Sequence, residues 1–272
     1  PPTPYYIETY YEPMEEWLKN FTLDIEVNGQ PFKPYDPSAT LRAAQYARER
    51  GYTVPNDINE LKEMFGPGWW KYAPDVAEQL LIRNGFKSDK NGKWLLPDGT
   101  PWKITIINHP SPSHPSNRNG LAAAQQWRNF GIDVNVVTSE SIQDITFFGN
   151  YEVSTNWPAP EPWGGHPDLD RVLSPFQSRV YKPIGEYAVQ NGPTSRWTNP
   201  KLDKIVENME KIDWNDPRNL ELGMEGLKLL IEEMPTIPTF GYPGVVGWDE
   251  YYWTNYPGAE NPYTQPYHHW PN

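Results

Sequence analysis

The residues that could do chemistry in this 272-residue chain are unevenly spread. His166-Pro167-Asp168-Leu169-Asp170 sets an imidazole beside two carboxylates, donor types that a divalent cation accepts. The local pattern reads otherwise, with Asp168 capping a short helix and His166 in a loop. His268 and His269 are adjacent, so an extended backbone turns them to opposite sides and they share no metal. Glycoside hydrolysis needs two carboxyl groups about 5–9.5 Å apart. Glu161, Asp168 and Asp170 are close only along the chain, as a solvated acidic surface would be. No serine elbow or phosphate loop occurs, and Gly66-Pro67-Gly68 lacks the third glycine and preceding strand of a dinucleotide fingerprint. With no cysteine, thiolate metal sites, disulfides and a cysteine nucleophile are excluded. The expectation is a protein with no cofactor and no catalytic residues.

Aromatic side chains give the sharper signal. Trp69-Trp70, Trp157, Trp163, Trp197 and Tyr251-Tyr252-Trp253 lie beside Gly, Pro or Asn, in stretches that read as loops. Flat rings among amides and carboxylates suit the C–H faces and hydroxyls of a sugar, and peptide side chains nearly as well. A single such ring can equally pack over the edge of a core. Aromatics make up 14% of the chain, enough to build a core although apolar residues total only 37%. The balance of 23 Lys+Arg against 35 Asp+Glu, a net charge of −12, argues against a nucleic-acid partner. No stretch approaches the roughly 18–20 apolar residues that span a bilayer. The start at Pro1-Pro2-Thr3, without an initiator Met, is expected of a processed or excised piece.

Punctuation by Pro, Gly and Asn divides the chain into elements. A short helix follows Pro13, and residues 24–27 with Asn28-Gly29 read as a strand and turn. Helices follow at 40–50 and 58–65, and a stronger one runs from Pro74 to its stop at Gly85. The next elements are a strand at 102–107, a helix at 117–129, a strand at 132–137, a helix from Ser139 to Phe148, and a strand at 151–154. Helix and strand in alternation make an α/β unit. Residues 156–182 are rich in Pro, Trp and Gly and carry at most a short helix at 168–173. Helices resume at 200–210 and 217–233, and 235–240 reads as a proline-containing edge strand.

Several of these stretches, in this order, resemble the C-terminal half of the extracellular solute-binding proteins of family 5, the oligopeptide and oligosaccharide receptors of ABC importers. The helix from Pro74 through Leu80-Leu81 to Gly85-Phe86, the turns at Asn91-Gly92 and Pro97-Asp98-Gly99, and the strand Lys103-Ile104-Thr105-Ile106 all have counterparts there. So do Gly131-Ile132-Asp133-Val134, Gly149-Asn150-Tyr151-Glu152-Val153, Trp197-Thr198-Asn199-Pro200, Pro235-Thr236-Ile237-Pro238 and Asn261-Pro262-Tyr263. The resemblance runs from Tyr72 to the end of the chain.

It implies an α/β lobe of the periplasmic-binding-protein type II kind, a mixed sheet flanked by helices, as the C-terminal lobe of a two-lobed receptor. Residues 1–235 would form the ligand-binding lobe, and 236–272 a hinge crossover returning toward an N-terminal lobe. The implied function is capture of a solute, with no enzymatic step, in the periplasm or outside the cell, with a lipid anchor at an N-terminus beyond this sequence. The implied partners are the solute, the N-terminal lobe and a membrane permease. By position, ligand contacts fall on Asn108 and His109 after one strand and Asn156 and Trp157 after another, with Trp163 beyond. Trp157 and Trp163 would stack, Asn108, His109 and Asn156 would hydrogen-bond hydroxyls, and Glu161 would meet the amine of a peptide. The Trp- and Asn-rich loops favour a gluco- or manno-oligosaccharide over an oligopeptide. The 31 prolines fit a thermophile's protein. A glycoside-active enzyme or a carbohydrate-binding module stands further off, since such modules are β-sandwiches and this chain is rich in helices.

Overall fold

The computed structural model describes residues 14–155, 169–188, 194–213, 215–237, 239, 249–252 and 254–256. It opens with α1 (Glu15–Asn20), where Trp17 stacks on Phe21 with ring centroids 4.9 Å apart. Strands β1 (Leu23–Val27) and β2 (Gln30–Phe32) form an antiparallel hairpin across Asn28-Gly29. Both turn residues have positive φ, 54° and 73°, the tight hairpin geometry that Asn-Gly favours. Strand β3 (Tyr35–Asp36), α2 (Ala39–Glu49) and α3 (Ile58–Phe65) follow. Asp57 caps α3 by accepting from the Asn59 and Glu60 amides. Strand β4 (Trp69–Trp70) pairs antiparallel with β3. This corrects the loop reading of Trp69-Trp70: a two-residue strand is too short to carry a periodic signal.

Helix α4 (Pro74–Arg83) begins at Pro74, and β5 (Lys87–Ser88) pairs antiparallel with β6 (Trp94–Leu95). Then come β7 (Lys103–Asn108), α5 (Pro115–Asn129), β8 (Asp133–Thr138), α6 (Ile142–Phe148) and β9 (Val153–Thr155). These three strands form a parallel sheet in the order β8-β7-β9, so both parallel and antiparallel pairing occur in the molecule. The expected helix–strand alternation is met, with edges displaced by a residue or two. Ser139 is not the cap of α6: that position is Ser141, whose amide donates to the Ser139 hydroxyl. Helix α7 (Asp170–Leu173) starts with Leu169 at its cap, and two 3₁₀ turns, Ser174–Phe176 and Ser178–Val180, follow. The reading of Asp168 as that cap lies outside the described residues. Helices α8 (Pro200–Met209) and α9 (Pro217–Glu233) complete the elements. Pro235, Thr236, Ile237 and Thr239, expected in an edge strand, are not in a strand; their neighbours Pro238 and Phe240 lie outside the described residues.

Among the described residues there are two larger apolar clusters and a small third one around Leu18 and Tyr35. One of the larger two joins Trp94, Ile106, Ala124, Ile132 and Val134 between the parallel sheet and α5. The other joins Met14, Leu169, Leu173, Phe176, Leu202, Val206, Met209 and Leu227, among α7, α8 and α9. Each fully buried aliphatic side chain stabilises by about 1.5–3 kcal/mol relative to exposure. Trp197 belongs to this second cluster and not to a free loop. Its ring meets Phe176 edge-on at 5.6 Å and its indole N–H donates to Glu233 Oε2 at 2.6 Å. Among the described residues, no helix is long and apolar enough to cross a membrane.

Candidate functional site

In a parallel sheet, the loops that leave the C-terminal strand ends form a crevice where the strand order reverses. Here the chain steps from β7 to β8 on one side and then crosses β7 to reach β9 on the other. The three strands end level, with Asn108 opposite both Thr138 and Thr155. β7 is central and covered on both faces, which is why Ile106, Ile107 and Asn108 are all buried in sequence.

Asn108 ties the three strand ends together. Its Oδ1 accepts from the Thr155 hydroxyl at 2.6 Å, its Nδ2 donates to the Asn117 carbonyl at 3.1 Å, and its own carbonyl accepts the Ser139 amide at 3.3 Å. Asn117, also buried, returns its Nδ2 to the His109 carbonyl at 2.6 Å. A glycine in the middle of α5 makes room: a Cβ on Gly120 would stand 2.5 Å from Asn108 Oδ1 and 3.0 Å from Thr155 Oγ1. The polar cluster is thus built into the sheet, and it fixes where the loops after β7 and β9 begin.

The loop after β7 carries two histidines whose rings stack, with centroids 3.9 Å apart and planes 16° from parallel. His109 Nδ1 accepts the Ser111 amide at 3.1 Å, and His114 Nδ1 accepts the Ser116 amide at 3.2 Å, capping α5. Burial, with the adjacent His109 second, holds the His114 imidazole below its ordinary value of 6.5. Among the described residues, no group of three or more His, Asp or Glu could hold a metal ion.

Of the residues expected from sequence, His109 stands half-buried in this loop, at the end of β7. Asn108 does not: it is completely buried and its carboxamide is engaged on both atoms, so the structure places it behind the loop. Asn156, Trp157, Glu161 and Trp163 lie outside the described residues, in the segment that leaves Thr155. Tyr251 and Tyr252 are more than four-fifths exposed and meet edge-on at 4.5 Å, while Trp253 lies outside the described residues. Sequence reasoning passed over His114, Asn117, Gly120 and Thr155. The signals were there: an isolated glycine inside a helical pattern usually has a packing reason, and His-Pro-Ser occurs twice within eight residues.

No protein-family model matches this chain, and no curated protein matches it. Among solved structures it is similar to the mannohexaose-bound periplasmic oligopeptide-binding protein of an oligopeptide ABC transporter from Thermotoga maritima. Identity is 22% over 78% of this chain and 39% of that chain, with a TM-score of 0.51. A second crystal structure described as that protein agrees at 22% identity over 82% and 43% of the two chains, with a TM-score of 0.51. The chain therefore spans about two-fifths of the length of the receptor that it matches. The likeness shows the fold, an α/β lobe of the periplasmic-binding-protein type II kind, which is the fold that the motif resemblance implied.

Proposed function

We propose that this chain is a lobe of the solute-binding component of an ABC importer, working outside the cytoplasmic membrane and capturing an oligosaccharide without turning it over. The observation that carries this reading is the fold shared with a periplasmic binding protein that holds mannohexaose. The loop geometry supports it, because a rigid polar cluster anchors the starts of two segments at the strand-order reversal, where α/β sheets take ligands. His109 would hydrogen-bond the solute, Trp157 and Trp163 would stack on it, and Asn156 would reach its hydroxyls. Asn108 would act through His109 and Thr155, as the positioning residue behind both segments. Residues 1–235 would form this lobe and 236–272 the return toward a second one, closing by a hinge around the solute and presenting the closed form to a permease.

One observation favours a second reading: the same matched protein is described as oligopeptide-binding. For an oligopeptide, Glu161 would take the terminal amine. Calorimetric titration separates the two, using this chain and a longer polypeptide that contains it. Heat from manno- or gluco-oligosaccharides alone is the expected result. Heat from tri- to pentapeptides alone keeps the import role and replaces the solute, and silence from both series rejects capture of either class.

A further inference from the structure

From the second 3₁₀ turn the chain reaches over to the C-terminal end of α6. The Gly185 amide donates to the Phe148 carbonyl at 2.8 Å and the Ala188 amide to the Phe147 carbonyl at 2.9 Å. At Trp197 it is back among α7, α8 and α9. Arg196, one residue earlier, ties these places together. Its Nη2 donates to the Phe147 carbonyl at 2.7 Å and to the Glu186 carbonyl at 3.0 Å, and its Nη1 to the Thr194 carbonyl at 3.2 Å. Tyr151, two residues before β9, donates its hydroxyl to that same Thr194 carbonyl at 2.6 Å. The backbone is bent to allow this. Arg196 has a φ of 55°, a left-handed conformation that costs any residue with a side chain and lasts only where the surroundings hold it. The guanidinium also lies on bare backbone, since a Cβ on Gly149 would stand 2.9 Å from Arg196 Cζ. The last carbonyls of a helix lack intrahelical donors, and a cationic fork of N–H groups supplies them.

Among the described residues the two larger apolar clusters share no side chain, so polar ties of this kind carry the register between them. Val153 on β9 packs against the first cluster and Leu169 lies in the second. The strand end Thr155 and Leu169 flank residues 156–168, to which the proposed function assigns Asn156, Trp157 and Trp163. We propose that Arg196 is a positioning residue for capture: its guanidinium clasps the end of α6 to the approach of α8 and so fixes the spacing of Thr155 and Leu169. Arg196 would act through those two ends and not by contact with the solute. An arginine keeps its charge across the physiological range, so the clasp does not open with pH. Its service to capture rests on the functional reading above; the clasp itself does not.

The chain has no cysteine, so a pair introduced by substitution takes label at those two places alone. Nitroxides at Q125C on α5 and E207C on α8, both exposed, let pulsed dipolar spectroscopy read the spacing of the two clusters. With Arg196 in place one narrow distance is expected. Arg196→Gly is at ease with a positive φ, so it keeps the backbone path and removes only the clasp, and the distance should broaden or split. Arg196→Lys keeps the charge, loses the fork and should broaden it too. A native distribution in either variant overturns the proposal, and Arg196→Lys decides alone if Arg196→Gly does not fold. Calorimetric titration with mannohexaose, on the 272-residue chain and on a longer polypeptide that contains it, reads the service to capture. Affinity should fall about tenfold or more in Arg196→Gly, the scale on which loss of a group behind a binding residue is felt. Unchanged affinity beside a broadened distance overturns the positioning role. No heat from the protein with Arg196 intact defeats the functional reading alone, because the distance still decides the clasp.

Discussion

At the scale of single residues, the sheet edge depends on one carboxamide. Asn108→Ala takes the acceptor from the half-buried Thr155 hydroxyl and one donor from the Asn117 carbonyl, and losing a partner for a buried polar group costs about 1–3 kcal/mol. A loss of about 2–4 kcal/mol in urea unfolding is expected; stability retained with only solute affinity lost would instead make Asn108 a ligand contact. Gly120→Ala sets two effects against each other. Alanine gains about 1 kcal/mol of helix propensity, while overpacking costs about 1–3 kcal/mol. The obstructing atom, Asn108 Oδ1, is held by Thr155 and cannot swing aside cheaply, so a net loss is expected. In the double variant with Asn108→Ala the second loss should shrink, because the clash has gone. His114 gives a pH dependence whose sign is fixed. Its folded value lies below the ordinary 6.5, so the unfolded chain binds more protons and stability falls as pH drops from about 6.5. That slope should flatten in H114N, as read from unfolding midpoints along a pH series. None of this inward geometry was legible in sequence. β7 is covered on both faces, so apolar alternation could not tell whether Asn108 points in or out.

Among elements, the contact of α9 with α7 is made by absence. Gly223 and Gly226 form a slot on α9: a Cβ on the first would stand 2.6 Å from Leu169 Cδ1, and on the second 2.5 Å from Leu173 Cδ1. Leu169 and Leu173, one helical turn apart, fill that slot and are buried. Gly226→Ala should therefore destabilise by about 1–3 kcal/mol in spite of its better helix propensity. Leu173→Ala, made in the same chain, should remove most of that penalty, and a double-mutant cycle measures the coupling; simple additivity would show that the slot does not set the packing. Helices such as α9 were legible because apolar residues recur at helical spacing after a Pro or Asp start, and the caps Asp57, Asn199 and Asp216 sit where such residues belong. For Trp197 the sequence left open whether the ring stands free or packs over a core edge. Its neighbours Thr198, Asn199 and Pro200 look like a loop, yet the ring turns back onto Phe176, drawn by Glu233 from thirty-six positions further on. Local punctuation carries no information about a partner that distant.

At the scale of the whole molecule, the question is enclosure. Binding sites for small molecules bury about 70–90% of the ligand surface, and this chain spans 39% of the receptor whose fold it shares. One lobe offers one wall, so the proposal implies weak capture by the chain alone. A ligand present at its own dissociation constant stabilises the folded state by only about 0.4 kcal/mol, and one at a thousandfold excess by about 4.1 kcal/mol. With about 2–4 °C per kcal/mol for a chain near this size, mannohexaose should raise the melting temperature of these 272 residues by about 1 °C. A longer polypeptide that contains them should gain several degrees. Tri- to pentapeptides should move neither, and a shift with peptides alone would transfer the site to the second reading. Composition made part of this legible, since an aromatic-rich chain can build a folded core. It could not show enclosure, because a cleft wall is made by residues far apart in sequence. A gain of several degrees in the 272-residue chain itself would mean that the sheet edge, His109 and the segment after Thr155 already surround the sugar, and that closure by a second lobe adds little affinity.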